Sequence, residues 1–445
     1  MRETHIPQRS IFEVYGEHET AQQLKAISVC LDAHPEILIR AAEDLIAPGK
    51  QHTGRRGLTV DSLVRAAILK QMMALSYEEL SFYLADSISY STFARLEGLV
   101  PSSSTLHSGI SRLTAQAWAF INRVLLRSAE QKGIEKGRMA RIDSTVTATD
   151  IHPPSDSSLL WDSVRTMVRQ LAQLQQAAGD TSVRFCNHSR SAKKKARLIE
   201  FSRGAPKERL YRALLHLTER TWGYLKQVTL QPIPPRASLV YPNLLEEAKT
   251  LLTLSEQVMA QTRRRVFQGE KVPSTEKVVS LFEPHTDIIV KGRRDVQYGH
   301  KLNFTTGKSG LVLDVVIEKG NPADSARFTP MLARQKAIYG RVPRQVAADG
   351  AYASQENLAC AKAMGVKDVA FNKKRGLKVE DMTQSEWLYK KLTRFRAGIE
   401  GNISCLKRRY GLARCTWKGW DKFNSYIWAS TVAYNLLLLA RRATT

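Results

Sequence analysis

A single strand-like segment near the middle of the chain stands apart from the others. Residues 137–146, GRMARIDSTV, alternate in polarity and carry β-branched side chains, which predicts a β-strand ending at Asp143. From about 156 to 275 the sequence is helical and very basic, and strand patterns return only from about 285. If the helical block is an insertion, the remaining segments form a mixed α/β sheet layered with helices.

The strands after this block are separated by turns that contain glycine. The expected strands are TDIIVKG, YGHKLNFTT, LVLDVVIEKG, RQVAADG and VKDVAFNKK. The fourth of them ends at Asp349, and Ser354 is predicted to cap the short helix that follows, which Gly365 closes. The last helix is expected to begin at Thr383, which has capping-box spacing to Glu386.

One glycine-containing segment, TTGKSG at residues 305–310, invites interpretation as a phosphate-binding loop. That motif requires glycine where Leu302 stands and precedes a helix, whereas this segment lies between two expected strands. We therefore interpret it as a hairpin turn.

Residues 58–130 predict a series of short helices. Their apolar residues have helical spacing, and Ser76 and Glu79 have capping-box spacing at the start of one helix. A later helix start is similar to that of a helix-turn-helix DNA reader. The polar residues near that start are Ser104, Thr105, His107 and Arg112. A plain helical domain is the alternative interpretation of the same pattern.

The charge of the chain is strongly positive. Its 445 residues include 67 Lys and Arg against 42 Asp and Glu, a net charge of +25. Such an excess favours a polyanionic partner, of which nucleic acid is the commonest, although a basic but otherwise ordinary enzyme is the alternative. The five cysteines show no metal-binding spacing and are interpreted as free thiols of a reducing compartment.

No segment predicts a membrane association. The first residues, MRETHIPQRS, lack the apolar core of a signal peptide. The most apolar run, residues 426–440, is short and interrupted by Ser, Thr and Asn, which favours a buried terminal helix over a membrane span. We expect a soluble, cytoplasmic protein.

Two acidic residues follow strands that read as buried. Asp143 comes after the residues ARI, and Asp349 comes after VAA. Ligands in α/β proteins commonly bind where such strands reach a crevice, although an Asx turn or helix cap is the alternative for either residue alone. The pair is more informative, because two strands of one sheet can bring both carboxylates together.

A third acid lies in a basic helix. In residues 385–410 the apolar residues step by three or four, and Arg396, Glu400 and Lys407 share a face at the edge of the apolar stripe. A minor i,i+4 pair between Arg396 and Glu400 is one interpretation. The other is a third carboxylate at the crevice, with Gly398 and Gly401 marking places where the helix lies close to the sheet or to DNA.

Three convergent carboxylates in a basic protein predict a specific chemistry. Hard oxygen ligands suit Mg²⁺, with Mn²⁺ as a substitute. Two such ions about 3.5–4 Å apart support in-line displacement at a phosphodiester. The cations of the protein would bind the DNA while the acids hold the metals.

With these residues in view, the chain resembles the DDE transposases of bacterial insertion sequences. The resemblance rests on three segments: RIDSTVTATDIHPPSDSSLLWDSVR at 141–165, VAADGAYAS at 346–354 and RFRAGIEGNISCLKRRYG at 394–411. The third segment matches the Arg, three residues, Glu, six residues, Lys pattern of the family. Thr393 stands where the family usually has a tyrosine.

The resemblance implies a catalytic and metal-binding triad of Asp143, Asp349 and Glu400. Asp150 and Asp156 compete with Asp143 for the first position. It also implies that Arg396 and Lys407 contact DNA and that Tyr352 supports the geometry. Further candidates for DNA contact are Arg408, Arg112 and the basic loop residues Lys373, Lys374 and Arg375.

The implied fold is α/β, with a mixed-sheet ribonuclease H-like core, an N-terminal all-helical DNA-binding region and a helical insertion. The expected boundaries are 1–135 for the N-terminal region, 136–155 and 280–412 for the core, 156–279 for the insertion and 413–445 for a C-terminal helical segment. Two clusters of the insertion, Lys193–Lys195 and Arg263–Arg265, are interpreted either as contacts to the DNA backbone or as solvated helix faces.

The predicted function is a metal-dependent transposase that binds the terminal inverted repeats of its element, cleaves them and joins the ends to target DNA. One alternative is a ribonuclease H-like nuclease without strand transfer, and another is a non-catalytic DNA-binding regulator. The expected partner is double-stranded DNA, both transposon ends and target. Pairing two ends implies a homodimer or higher assembly, in the bacterial cytoplasm and associated with the nucleoid.

Overall fold

The structure is a computed structural model that describes residues 18–46, 57–96, 98–179, 183–291 and 295–443. Two compact units are present, one formed by residues 1–149 with 300–445 and the other by residues 150–299.

Helices and strands alternate along the chain in the following order. The first elements are α1 (Glu19–Asp32), α2 (Glu36–Leu45), α3 (Val60–Met72), α4 (Tyr77–Asp86), α5 (Ile88–Phe93), α6 (Ser103–Ile110), α7 (Ala115–Gln131) and β1 (Met139–Ala148). The second unit has α8 (Asp156–Ala178), α9 (Ser189–Phe201), α10 (Gly204–Leu230), α11 (Tyr241–Thr262), β2 (Asp287–Lys291) and the start of β3 (Asp295–Gly307). The remaining elements are β4 (Val312–Ile317), α12 (Phe328–Tyr339), β5 (Gln345–Ala348), α13 (Gln355–Ala363), β6 (Asp368–Phe371), α14 (Val379–Met382), α15 (Glu386–Arg409) and α16 (Trp420–Ala443).

A mixed sheet forms the centre of the first unit. Its strand order is β3-β1-β5-β6, and β4 pairs with β3. The strands β1, β5 and β6 run parallel, whereas β4 is antiparallel to β3. The predicted mixed α/β fold with helical regions is therefore confirmed, and the sheet is consistent with a ribonuclease H-like core. The segment TTGKSG is the β3–β4 hairpin turn, as expected, with the Gly310 amide donating to the Gly307 carbonyl at 3.1 Å.

Alternation along the strands gives the sheet two different faces. Ala347 of β5 and Ala370 of β6 pack against Leu392 of α15. Their neighbours Val346 and Phe371 point to the opposite face, where α12 and α13 cover the sheet. Because side chains of a strand alternate with a period of two, small residues on one face admit α15 close to the backbone.

The N-terminal helices and α16 share one hydrophobic core with β3 and β4. The buried Asn435 of α16 accepts a hydrogen bond from the Val312 amide at 2.9 Å and donates to Asn122 of α7 at 2.7 Å. These bonds satisfy a polar side chain that interrupts the apolar run of α16. The expected buried terminal helix is confirmed, and no helix in the described part of the chain is long and apolar enough to span a membrane.

Helix α3 is buried all round because its charges are paired. Asp61 accepts hydrogen bonds from Arg65 Nε at 2.7 Å and from Arg95 Nη1 at 2.6 Å, and both arginines also reach Asp32 of α1. The expected capping box of Ser76 and Glu79 is present at the start of α4. Buried charges are tolerated only when they are paired in this way.

The second unit is a helical bundle in which α8 packs on α9, α10 and α11. A short hairpin, in which β2 is antiparallel to residues 295–299 of β3, closes its sequence. Helix α11 continues into a π-helical segment, Arg263–Phe267, which the sequence pattern did not distinguish from an ordinary helix.

Two sequence-based boundaries were wrong. Strand β1 does not end at Asp143 but continues to Ala148, because the Thr147 hydroxyl and the Ala148 amide bond to the chain at residues 412 and 413. The last helix does not begin at Thr383. That residue ends α14, and its hydroxyl donates to the Ser385 carbonyl, while Ser385 itself caps α15.

Candidate functional site

Two aspartates occupy matching positions on neighbouring parallel strands. Ile142 of β1 is in register with Ala348 of β5, so the residues that follow them, Asp143 and Asp349, lie side by side at the same level of the sheet. Asp143 stands within β1, where its carboxylate accepts a hydrogen bond from the Ser144 amide at 2.8 Å. Asp349 follows β5 directly and precedes a short 3₁₀ turn, and its side chain makes no capping hydrogen bond. A capping role therefore does not account for Asp349.

A buried arginine positions helix α15 over these aspartates. Arg141 of β1 donates from Nη1 to the carbonyl of Phe395 at 2.9 Å and from Nη2 to Asn402 Oδ1 at 2.6 Å. Its Nε donates to Thr306 of β3 at 2.9 Å. Burial lowers the pKa of this guanidinium, and the three hydrogen bonds compensate for part of the lost hydration. Arg141 thus ties α15 to two strands of the sheet.

The two glycines of α15 differ in their surroundings. A Cβ atom at Gly398 would collide with Arg141 Nη1 and lie 3.0 Å from its Cζ, whereas nothing lies within 4 Å of a Cβ at Gly401. The close approach of the helix to the sheet, expected from the sequence, is therefore present at Gly398. Gly401 faces open space beside Glu400.

Arg396 joins all three candidate carboxylates. Its Nη2 donates to Asp143 Oδ2 at 2.8 Å and lies 3.5 Å from Asp349 Oδ1, and its Nη1 donates to Glu400 Oε1 at 2.6 Å. The side chain of Asp143 is 14% exposed, that of Asp349 is 35% exposed and that of Glu400 is 64% exposed. The group therefore forms an open cleft with its most enclosed carboxylate at the sheet.

The electrostatic balance at Asp143 has two opposing parts. Burial raises the pKa of this carboxyl, and the charges of Asp349 and Glu400 raise it further, while Arg396 and the Ser144 amide lower it. The raised pKa means that burial and the like charges prevail over the single arginine. A cluster of this kind gains from additional positive charge.

Tyr352 lies behind the cluster and is fully buried. Its hydroxyl donates to Asn303 Oδ1 at 2.8 Å, and Asn303 in turn donates to Glu318 at 2.8 Å. Burial, followed by the charge of Asp324, raises the pKa of the phenol well above its usual value, so the hydroxyl remains a hydrogen-bond donor. Glu318 is paired with Arg327 at 2.9 Å. This network fixes the turn that carries Asp349.

The basic loop after β6 lies beside the same turn. A Cβ atom at Gly350 would lie 2.6 Å from the Cβ of Lys373, so the backbone after Asp349 is in direct contact with this loop. Lys373, Lys374 and Arg375 are exposed, and Lys374 Nζ lies 5.5 Å from the centre of the Tyr389 ring. The loop therefore places exposed cations at the edge of the cleft.

Other predicted site residues are spread over the first unit. Arg408 is exposed and Lys407 half-buried, both in the last turns of α15. Arg112 is exposed just after α6, whose Ser104 and Thr105 are also exposed, while His107 packs edge-on against Tyr77. The structure does not bring Arg112 into contact with the three carboxylates.

The competing acid Asp156 is engaged within the second unit. It is buried there and accepts a hydrogen bond from Arg265 at 3.0 Å. The neighbouring Arg263 and Arg264 pair with Glu219 and with Glu270, so this cluster is bound to acids of its own unit. Lys193 and Lys194 are exposed on α9, which makes them the better DNA-contact candidates of the insertion.

The residues that sequence reasoning missed are Arg141 and Asn402. Both are polar residues beside candidate site residues, and both read as solvent-facing positions of an amphipathic element. Asn402 accepts from Arg141 and donates to the Gly310 carbonyl at 3.0 Å, which links α15 to the β3–β4 turn. A buried arginine one residue before the first aspartate was the available signal.

The residue types of the cluster fit a hard divalent ion, since carboxylate oxygens are the ligands that Mg²⁺ and Mn²⁺ prefer. In the arrangement described, however, the guanidinium of Arg396 lies between these oxygens. Among the described residues, no group of three or more Asp, Glu, His or Cys is placed to hold a metal ion.

Fold and site together define a class, that of α/β proteins with convergent carboxylates on neighbouring parallel strands and a covering helix. Residues 290–436 match the family model of the transposase DDE domain. The chain therefore carries a transposase DDE domain, and its resemblance to DDE transposases is confirmed. The match includes Asp349 and Glu400, whereas Asp143 precedes it. Neither the curated proteins nor the solved structures give a significant match to the chain.

Proposed function

We propose that this chain is a DNA transposase that binds the terminal inverted repeats of an insertion sequence, cleaves the ends and joins them to target DNA. The observation that carries the proposal is the convergence of Asp143, Asp349 and Glu400 on one guanidinium. The net charge of +25 and the transposase DDE domain support DNA as the substrate.

In this proposal Asp143, Asp349 and Glu400 hold two Mg²⁺ ions, for which Mn²⁺ is a substitute. When bound, such ions polarise the phosphoryl oxygen and activate the attacking oxygen. The two aspartates are fixed by the register of β1 and β5, so they form the rigid side of the site. Glu400 is more exposed and adjusts to the substrate from the helix side.

The cations around the cleft bind and orient the DNA. Arg396 is on the same helical face as Glu400, and the loop residues Lys373, Lys374 and Arg375 border the turn that carries Asp349. Contacts of this kind to phosphates position the backbone at the carboxylates without reading its sequence. Lys407 and Arg408 extend the same contact along α15. Tyr352 supports the position of Asp349 from within the protein.

The N-terminal helices are proposed to recognise the element ends. The exposed Ser104 and Thr105 of α6, with Arg112 beyond its end, form a polar surface suited to a DNA groove. Two ends must be held together for joining, so we propose that the chain acts as a homodimer or a higher assembly on DNA.

The experiment that tests the proposal uses a linear DNA carrying the two sequences that flank the gene of this chain. The protein is incubated with this DNA and Mg²⁺, and the products are separated on a sequencing gel. We compare the wild type with Asp349→Ala and with Asp381→Ala, an exposed acid of α14 that serves as the matched control.

Cleavage followed by joining in the wild type and in Asp381→Ala, but not in Asp349→Ala, is the expected result. Cleavage without joining would favour the nuclease alternative. Binding without metal-dependent cleavage in the wild type would contradict both enzymatic functions and favour the regulator. Normal cleavage by Asp349→Ala would show that the triad is wrongly assigned.

A further inference from the structure

The guanidinium of Arg396 occupies the space that the three carboxylates share. It binds Asp143 Oδ2 and Glu400 Oε1 at 2.8 and 2.6 Å and lies 3.5 Å from Asp349 Oδ1. Magnesium needs its oxygen ligands at about 2.0–2.1 Å and in near-octahedral arrangement. An ion and the guanidinium therefore compete for the same oxygen atoms.

The position of Arg396 is incompletely satisfied. Its side chain is 11% exposed, and its buried Nε has no hydrogen-bond partner among the described residues. An unpaired buried donor is unfavourable, so the three carboxylates alone hold the guanidinium in the cleft. A partner that satisfies the guanidinium more completely would draw it out.

A DNA phosphate is such a partner. Arginine binds phosphate through two parallel N–H donors, a pairing that is stronger than a hydrogen bond between neutral groups. The helix surface around Gly401 is open, and the exposed loop Lys373–Arg375 would hold a phosphate backbone beside the turn of Asp349. The arginine has a long, flexible side chain and can move from the carboxylates to a phosphate without a change in the helix.

We propose that Arg396 keeps the carboxylates closed to metal until DNA binds, so that DNA and the divalent ion strengthen the binding of one another. The inference rests on the proposed function. By linkage, the factor by which DNA tightens metal binding equals the factor by which metal tightens DNA binding. Metal binding would thus be confined to the complex in which the substrate is in place.

The test measures Mn²⁺ affinity by electron paramagnetic resonance, with and without the end-containing DNA. Arg396→Gln removes the competing charge and keeps a polar side chain. Arg396→Lys keeps a cation in the cleft. Arg394→Gln removes the charge of an exposed arginine on the same helix and is the matched control. Circular dichroism and melting curves establish that each variant is folded.

Without DNA, we expect Arg396→Gln to bind Mn²⁺ about tenfold more tightly than the wild type, which corresponds to about 1.4 kcal/mol. Arg394→Gln and Arg396→Lys should remain close to the wild type. Addition of DNA should tighten Mn²⁺ binding about tenfold in the wild type and much less in Arg396→Gln.

Equal Mn²⁺ affinity of the wild type and Arg396→Gln without DNA would overturn the inference, even if DNA cleavage requires metal. A different failure would concern the proposed function itself. If Asp349→Ala bound Mn²⁺ as tightly as its parent, both in the wild type and in Arg396→Gln, the carboxylates would not be the metal site and both proposals would fall.

Discussion

Replacing Gly398 by alanine probes the contact that places Glu400 over the sheet. The added methyl would lie more than an ångström inside the 3.4 Å at which ordinary contact with Arg141 begins. Arg141 cannot withdraw without losing its hydrogen bonds to the Phe395 carbonyl and Asn402, because both partners are on the same helix. Either the guanidinium or helix α15 must move.

The magnitude follows from two opposing effects. A hydrogen bond to a charged group contributes about 1.5–3 kcal/mol. Alanine is more favourable than glycine within a helix by about 0.8–1.0 kcal/mol. If Gly398→Ala breaks one bond of Arg141, the free energy of unfolding falls by about 1–2 kcal/mol. A shift of the helix by about 1 Å would also reduce catalysis by about 100-fold.

The matched control is Gly401→Ala, three residues further along the same helix, where a Cβ meets nothing within 4 Å. We expect this variant to gain up to about 1 kcal/mol in stability from helix propensity alone. Thermal unfolding followed by circular dichroism should therefore move in opposite directions for the two variants. Equal melting temperatures would refute the close approach at Gly398 and, with it, the role of Arg141 in positioning the helix.

Three further predictions concern the N-terminal core, the basic loop and the metal. Asp61→Asn leaves Arg65 and Arg95 buried beside a neutral partner, so unfolding should show a loss of about 3–5 kcal/mol; an unchanged melting temperature would contradict the pairing. Alanine at each of the three loop cations, residues 373–375, should lower the slope of DNA affinity against salt by about 0.9 per lost phosphate contact, measured by fluorescence anisotropy; an unchanged slope would remove the loop from the interface. Chelation with EDTA should abolish cleavage, and added Mg²⁺ or Mn²⁺ should restore it; cleavage that persists in EDTA would exclude the proposed metal.

Much of the sheet could be predicted because alternation and glycine-containing turns are local properties of the sequence. The buried strand before Asp349 and the hairpin turn at TTGKSG were recognised in this way. The end of β1 was not, because residues 144–148 are polar and their partners, residues 412–415, lie far away in the sequence. Pairing with a distant segment leaves no local signal.

The site was predicted as a set of acids, but its centre was not. The spacing of Arg396 and Glu400 correctly indicated an i,i+4 contact, which is present at 2.6 Å. That Arg396 also reaches Asp143 and Asp349 depends on how α15 lies across β1 and β5, and this depends on the buried Arg141. Sequence periodicity assigns a charged residue to solvent by default, so a buried arginine that anchors a helix was not recognised.

The central claim is that Asp143, Asp349 and Glu400 act as one catalytic unit. Its most direct test is the rate of end cleavage for each single alanine variant and for the double variant Asp143→Ala with Asp349→Ala. We predict that each single variant loses cleavage and that the double variant is no slower than the slower single variant, because groups that act together are strongly non-additive. Wild-type cleavage by any of the single variants, or losses that multiply in the double variant, would contradict the claim.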